Sequence, residues 1–248
     1  MRPSRPLRMS PPIPCVRPGA VNRSDGVTAD GRPRAVVFDL DGTLIATKSL
    51  YLEAYRVAVE PYIRKDLTRD DILALRPTSE LGFLRAVVGR DRLEACLADF
   101  YDAYRSLHAD LFEGVYDGIP ELLESIRTAG LPLAIVTGKS RRSWEITSAL
   151  VALGPFDALV FDDDVRAPKP DPHGLQLAVR SLGVDAATSI YVGDTRTDVH
   201  AARAAGLRPV SALWARDPAD RAAFAAEVER EGAEVVETPA ELRALLRT

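Results

Sequence analysis

The stretch VVFDLDGTL, Val36 to Leu44, decides how the rest of the chain is read. Its apolar residues suit a strand filled on both faces, as in the middle of a parallel sheet. Yet Asp39 and Asp41 stand at its carboxyl end, and Gly42-Thr43 breaks the run. Buried carboxylates are costly unless something pairs with them. The segment therefore demands a partner for two acids.

Downstream of it, Lys48 to Leu111 reads as almost entirely helical. One helix is expected over Ser49–Val59. A second follows Thr68, which with Asp71 makes a capping pattern, and a third follows Thr78 and stops at Gly89. A long fourth runs from Asp91 to Leu111, apolar at Leu93, Leu97, Phe100, Tyr101, Tyr104 and Leu107. After Gly114 helices and strands alternate: PELLESIRTA, LPLAIVT, RRSWEITSALVAL, ALVF, PHGLQLAVRSLG, SIYVG, DVHAARAAG and LRPVSAL. A helix after Asp217, a short AEVV strand and PAELRALLR close the chain. This alternation signals right-handed βαβ units. The expected fold is α/β, a doubly wound parallel sheet with a small helical insert after the first strand. The boundaries are 34–46 and 114–248 for the core and 47–113 for the insert. An insert there sits over the carboxyl ends of the strands, where open α/β sheets bind ligands.

Four features fall at the ends of successive expected strands: Asp39-Leu-Asp41-Gly-Thr43; Thr137-Gly138-Lys139; Lys169 within APKPDP; and Gly193-Asp194 with Asp198. A parallel sheet brings them to one rim. Clustered carboxylates raise one another's pKa unless a cation sits among them. An all-oxygen donor set without His or Cys suits a hard ion, Mg²⁺ before Ca²⁺. Lys169, a Thr hydroxyl and the amides near Gly138 offer what the free oxygens of a phosphate need. An Asp beside the metal can attack phosphorus, and water then hydrolyses the aspartyl-phosphate. Asp41 could serve as acid and base.

The order DLDGT, TG, KP, GDxxxD resembles the haloacid dehalogenase (HAD) superfamily from Val36 to Val210, with a Rossmann-like core. What the resemblance implies is a nucleophile and Mg²⁺ ligand at Asp39, and a general acid/base at Asp41 that binds metal through its carbonyl. It further implies phosphoryl contacts from Thr137, Gly138 and Lys169, direct metal ligation by Asp194, and ordering of the metal shell by Asp198. The insert is similar to the family's helical cap. Its linker Arg76-Pro-Thr78-Ser-Glu80 is the expected place for substrate recognition, with Arg76 reading a second anionic group. The resemblance favours the phosphoglycolate phosphatase-like branch. Two departures stand against closer placement: Ile45-Ala46-Thr47 replaces the usual Val-Asp-Ser, and the cap linker lacks a glycine-rich pattern.

The implied activity is that of a phosphatase on a small phosphorylated metabolite. A phosphosugar mutase and an inorganic pyrophosphatase stay open as alternatives, although Thr43 favours hydrolysis. A dehalogenase would lack Asp41. A non-catalytic binding module on the same scaffold would be expected to have lost one of the motif residues, and all are present.

Composition sets the frame. The 248 residues are 46% hydrophobic and 27% charged, as a soluble globular chain requires. The net charge of −4 gives no footing for nucleic acid or a membrane surface. Residues 1–34 are net +5 and the remainder net −9. Residues 1–33 read as a disordered Pro/Arg tail or a start set too far upstream, with Met9 as another start, and not as a signal peptide. Two cysteines, Cys15 in the tail and Cys96 in a helical pattern, argue against a disulfide framework and point to the cytoplasm. A monomer or homodimer is expected. Singly, Arg141-Arg142 reads as a solvated helix start, Asp162-Asp163-Asp164 as a solvated acidic turn, and Trp144 and Trp214 as packing. His108, His173 and His200 lack metal-ligand spacing.

Overall fold

The computed structural model describes residues 32–63, 65, 67–75 and 77–247. Arg76 and residues 1–31 of the tail lie outside the described residues. Strand β1, Ala35–Phe38, is buried at every position. It pairs in parallel with β4, Leu133–Val136, on one side and β6, Ser189–Gly193, on the other. With β5 (Ala158–Val160), β7 (Arg208–Ala212) and β8 (Glu234–Val236) the parallel sheet runs β5-β4-β1-β6-β7-β8. The order reverses at β1, so the crevice beyond its carboxyl end is the topological switch point.

Alternation along β1 divides the core. Val36 and Phe38 pack with Ile135, Val192 and Val210 under α5 (Ile119–Thr128) and α10 (Pro239–Leu245). Val37 faces the opposite layer with Val136, Tyr191 and Leu175, beneath α7 (His173–Leu182) and α8 (Arg196–Ala205). A strand covered on both faces has no polar side, which is why AVVF reads as a continuous apolar run. Helix α9 (Pro218–Arg230) packs Val228 against Ala233 and Val199.

The helical insert has a core of its own. It comprises α1 (Lys48–Val59), α2 (Arg69–Ala74), α3 (Glu80–Val88) and α4 (Leu93–Leu111). Tyr55, Phe83, Phe100 and Tyr104 pack together at its centre, with the tilted Tyr55 and Phe83 rings 4.2 Å apart between centroids. Each such aromatic stabilises by roughly 1.5–3 kcal/mol through burial. The expected capping box is present: Thr68 Oγ1 accepts from the Asp71 amide, and Asp71 accepts from the Thr68 amide.

Two features depart from the sequence reading. The insert is entered and left through a short antiparallel pair, β2 (Ile45–Ala46) against β3 (Gly114–Val115), which strands of two residues are too short to announce. Helix α6 covers Arg141–Ser148 and does not reach Leu153. The Leu150 and Val151 amides both return to the Thr147 carbonyl, closing a turn that leaves Leu150 66% exposed and sends Leu153 into the core.

Candidate active site

Asp39 follows β1 directly, its amide still bonded to the Val192 carbonyl at 2.8 Å. Its carboxylate accepts from Lys169 Nζ at 2.7 Å, and the same ammonium reaches Asp198 Oδ1 at 2.6 Å and Tyr191 Oη at 2.9 Å. Asp198 is further fixed through Oδ2, which accepts from the Thr195 amide (3.0 Å) and hydroxyl (2.5 Å) in the capping box that opens α8. Asp194 stands across the rim, where Thr43 Oγ1 approaches its carboxylate at 3.4 Å. Gly42 turns the chain beneath it with φ of 84°, and a Cβ there would lie 2.6 Å from Asp194 Oδ2. Only glycine permits both the left-handed turn and the close approach.

Asp39, Asp194 and Asp198 each offer an oxygen within 4.8 Å of the others. Two of the three carboxylates, Asp39 and Asp198, contact one ammonium directly, and the Arg216 guanidinium, bonded to the Asp194 carbonyl oxygen at 2.7 Å, adds a second, weaker positive influence on Asp194. Burial pushes the Asp39 carboxyl well up, and Lys169 offsets this only in part. Asp194 is pushed up to about 7, first by burial and then by the charge of Asp198. Asp198 is itself buried, yet Lys169 and Thr195 hold it below the ordinary range. Two high carboxylates beside one low one describe a site short of positive charge. Its oxygen-only donors fit a hard divalent cation. Both oxygens of Asp198 are already engaged, so Asp39 and Asp194 are the better placed for direct contact with such an ion.

Asp41 is held differently. Its Oδ1 accepts from Thr47 Oγ1 at 2.7 Å and pairs with Lys139 Nζ at 3.1 Å, while Thr137 Oγ1 lies 3.5 Å from Oδ2. Two acids two residues apart thus have separate partners, Lys169 for one and Lys139 for the other.

The insert closes over this rim. The Glu80 amide donates to the Gly138 carbonyl at 3.0 Å, and a Cβ on Gly138 would lie 2.2 Å from the Thr78 carbonyl oxygen. Asp162 Oδ2 accepts from the Leu81 amide at 3.0 Å. Asp162 is therefore buried in the joint between insert and core, whereas Asp164 pairs with Arg141 at the surface. Between the layers lies a cavity of about 700 Å³. Asp39, Asp41, Thr137, Gly138, Lys169, Asp194 and Asp198 all line it, as do Thr78 and Glu80. Of the residues expected at the site, Arg76 alone lies outside the described residues. Glu80 reaches the wall with its carboxylate already bonded to Tyr51 and Ser143. Burial pushes its pKa up to about 7 against the pull of Lys139.

A family model described as haloacid dehalogenase-like hydrolase matches residues 36–212, which takes in all four motifs and the insert. The chain belongs to the haloacid dehalogenase-like hydrolases. It is an HAD-type phosphatase in which the helical insert is the cap. Pyrophosphatase PpaX of Bacillus velezensis is 34% identical over 188 residues, 75% of this chain and 85% of that protein. N-acetylmuramic acid 6-phosphate phosphatase of Pseudomonas aeruginosa is 32% identical over 74% of this chain and 83% of its own length. Among solved structures, CbbY from Rhodobacter sphaeroides in complex with phosphate shares the fold, with a TM-score of 0.72, 23% identity, and coverage of 87% of this chain and 100% of that one.

Within this HAD site, several participants had no role assigned from sequence: Lys139, Tyr51 and Tyr104, with Tyr191 behind Lys169. Lys139 stood in view as the third residue of the TGK triplet. Tyr51 and Tyr104 carry no motif, and only the fold brings them to it. Trp214 does more than pack, since its Nε1 donates to the Thr43 carbonyl at 2.8 Å. His108 is buried against Thr147 and His200 pairs with Glu231. The metal-capable acidic group contains no histidine. No described helix is long and apolar enough to cross a membrane.

Proposed function

We propose that the protein is a Mg²⁺-dependent phosphatase that removes phosphate from a small phosphorylated metabolite through an aspartyl-phosphate on Asp39. The observation that carries this reading is the convergence of Asp39, Lys169, Asp194 and Asp198 at one end of the cavity, with Asp41 on separate partners beside them. Mg²⁺ held by Asp39 and Asp194, with Asp198 ordering its waters and the Asp41 carbonyl beside it, would polarise the phosphoryl oxygens and offset the excess negative charge.

Asp39 attacks phosphorus as the bond to the leaving oxygen breaks, and Asp41 gives that oxygen its proton. Lys169, Thr137 and the backbone at Gly138 hold the transferring phosphoryl group. Asp41, now a carboxylate, takes a proton from the water that hydrolyses the phosphoenzyme. The cap keeps other water out of the cavity.

Tyr51, Leu52, Tyr55, Leu73 and Phe224 line the same cavity and suit an organic leaving group. They favour a phosphomonoester, of which a phosphoglycolate-like compound is one example. Pyrophosphate is the second reading, favoured by the name of the Bacillus relative. Thr78 and, through its linker, Arg76 belong to the proposed specificity segment, and Glu80 acts there by fixing the linker. The compartment is read as cytoplasm, in keeping with the free, buried Cys96.

The test is turnover of p-nitrophenyl phosphate with Mg²⁺ and with chelator, followed by pyrophosphate and a panel of phosphorylated metabolites at equal concentration. Wild type should turn over only with metal, and Asp39→Asn should lose at least about a thousandfold. A metal-replete wild type that is inert, or an Asp39→Asn variant at full rate, refutes the reading.

A further inference from the structure

Lys139 comes from the core loop after β4, yet most of its surroundings come from the cap. It is 1% exposed. Its ammonium donates to Tyr51 Oη at 2.5 Å and Tyr104 Oη at 2.9 Å, and lies 4.2 and 4.8 Å from the centroids of those two rings. Tyr51 stands on α1 and Tyr104 on α4. Tyr51 passes its own hydrogen on to Glu80 of α3, whose second oxygen accepts from Ser143 of α6 at 3.0 Å. Tyr104 also bonds Thr147 of α6 at 2.9 Å. Three cap helices thus replace water around one core lysine. Burial pulls the lysine's pKa down, but Asp41, Tyr104 and Glu80 outweigh it and the group stays charged.

An ammonium desolvated in this way needs an anion, and Asp41 Oδ1 at 3.1 Å is in direct contact with it. The contact shares Oδ1 with Thr47 at the neck of the cap, so the carboxylate is gripped from the cap side and from the core side together. Tyr51, Tyr104 and Glu80 all belong to the cap, so the cage around Lys139 is complete only with the cap seated.

We propose that Lys139 is the positioning residue for Asp41, and that its tyrosine cage makes this positioning depend on a seated cap. The inference rests on the aspartyl-phosphate reading. A substrate bound as its monoanion hands its proton to the Asp41 carboxylate, and Asp41 passes it to the leaving oxygen as the phosphorus–oxygen bond breaks and the Asp39–phosphorus bond forms. Lys139 holds in place the carboxylate that remains.

The role has a signature that a loss of fold does not produce. A p-nitrophenolate leaves with little help from a proton, whereas unsubstituted phenolate, with a pKa of about 10, needs one. Both phosphates place nearly the same ring under the cap. In Lys139→Met, kcat/KM for phenyl phosphate should fall about 100-fold and that for p-nitrophenyl phosphate by no more than about threefold, the difference being the scale of general-acid assistance. Tyr104→Phe, a milder change that keeps the ring, should shift the same ratio in the same direction. Hydrogen exchange supplies a readout without substrate. The Glu80 amide, bonded across the joint to Gly138, should exchange about tenfold faster in both variants while β6 stays protected. Equal losses on the two substrates, or unchanged protection at Glu80, overturn the proposal. An inert wild type would count against the phosphatase reading, and the exchange data would still judge the cage.

Discussion

Asp39 and Asp41 are two residues apart and chemically separate because each has its own lysine. Lys169 joins Asp39 to Asp198, and Lys139 joins Asp41 to the cap. Asp39, Thr137 and Asp194 were legible because each directly follows a strand whose apolar run announces it, and Lys169 and Asp198 because their short motifs come soon after β5 and β6. The second lysine's role was not, because its partners lie 88 and 35 residues away in sequence and no pattern of spacing links them. Gly42 shows how finely the rim is set. Gly42→Ala would place a methyl against Asp194 in a backbone conformation alanine avoids, and displacing that acid by about an ångström should cost about 100-fold in kcat. Steady-state rates at saturating Mg²⁺ check this; an unimpaired variant would mean that Asp194 is not at the reacting centre.

Among elements, the joint between α3 and the loop after β4 governs closure. Order and type of these elements followed from the sequence pattern, since α4 carries a 3.6-residue apolar repeat and β1 a short continuous apolar run. The end of α6 did not follow, because Ile146, Leu150 and Leu153 keep a helical spacing although the chain turns after Ser148 and exposes Leu150. The neck formed by β2 and β3 was likewise unreadable, being a pairing of residues far apart in sequence. Gly138 fills the joint so closely that Gly138→Ala must push Thr78 away. That variant should keep its melting temperature within a few degrees yet lose about tenfold in kcat/KM, because a lifted cap spoils orientation without unfolding the core. Parallel melting and kinetic measurements separate the two effects, and unchanged kinetics would remove the cap from the mechanism.

For the whole molecule, the acids at the site make stability depend on pH and metal together. Asp194 and Glu80 have folded values of about 7, Asp162 of about 6, and Asp39 is also raised, all with burial as the leading cause. The folded state therefore binds more protons than the unfolded chain, so stability is greatest at the acid end of this window and falls as pH rises towards about 7. Asp198 works the other way and loses its contribution only at lower pH. A divalent cation gives Asp39 and Asp194 a positive partner and removes their part of the penalty, leaving that of Glu80 and Asp162. The metal-free protein should melt at lower temperature at pH 8 than at pH 5. Added Mg²⁺ should raise the melting temperature more at pH 8 than at pH 5. Equal shifts at both would contradict this charge balance.

The central claim is a covalent phosphoenzyme on Asp39, and reductive trapping examines it most directly. Wild type mixed with p-nitrophenyl phosphate and Mg²⁺, quenched during turnover and treated with borohydride, should yield a peptide reduced at position 39, since an acyl phosphate is reducible and a free carboxylate is not. Turnover that leaves Asp39 unmodified, or marks another acid in its place, would contradict the account.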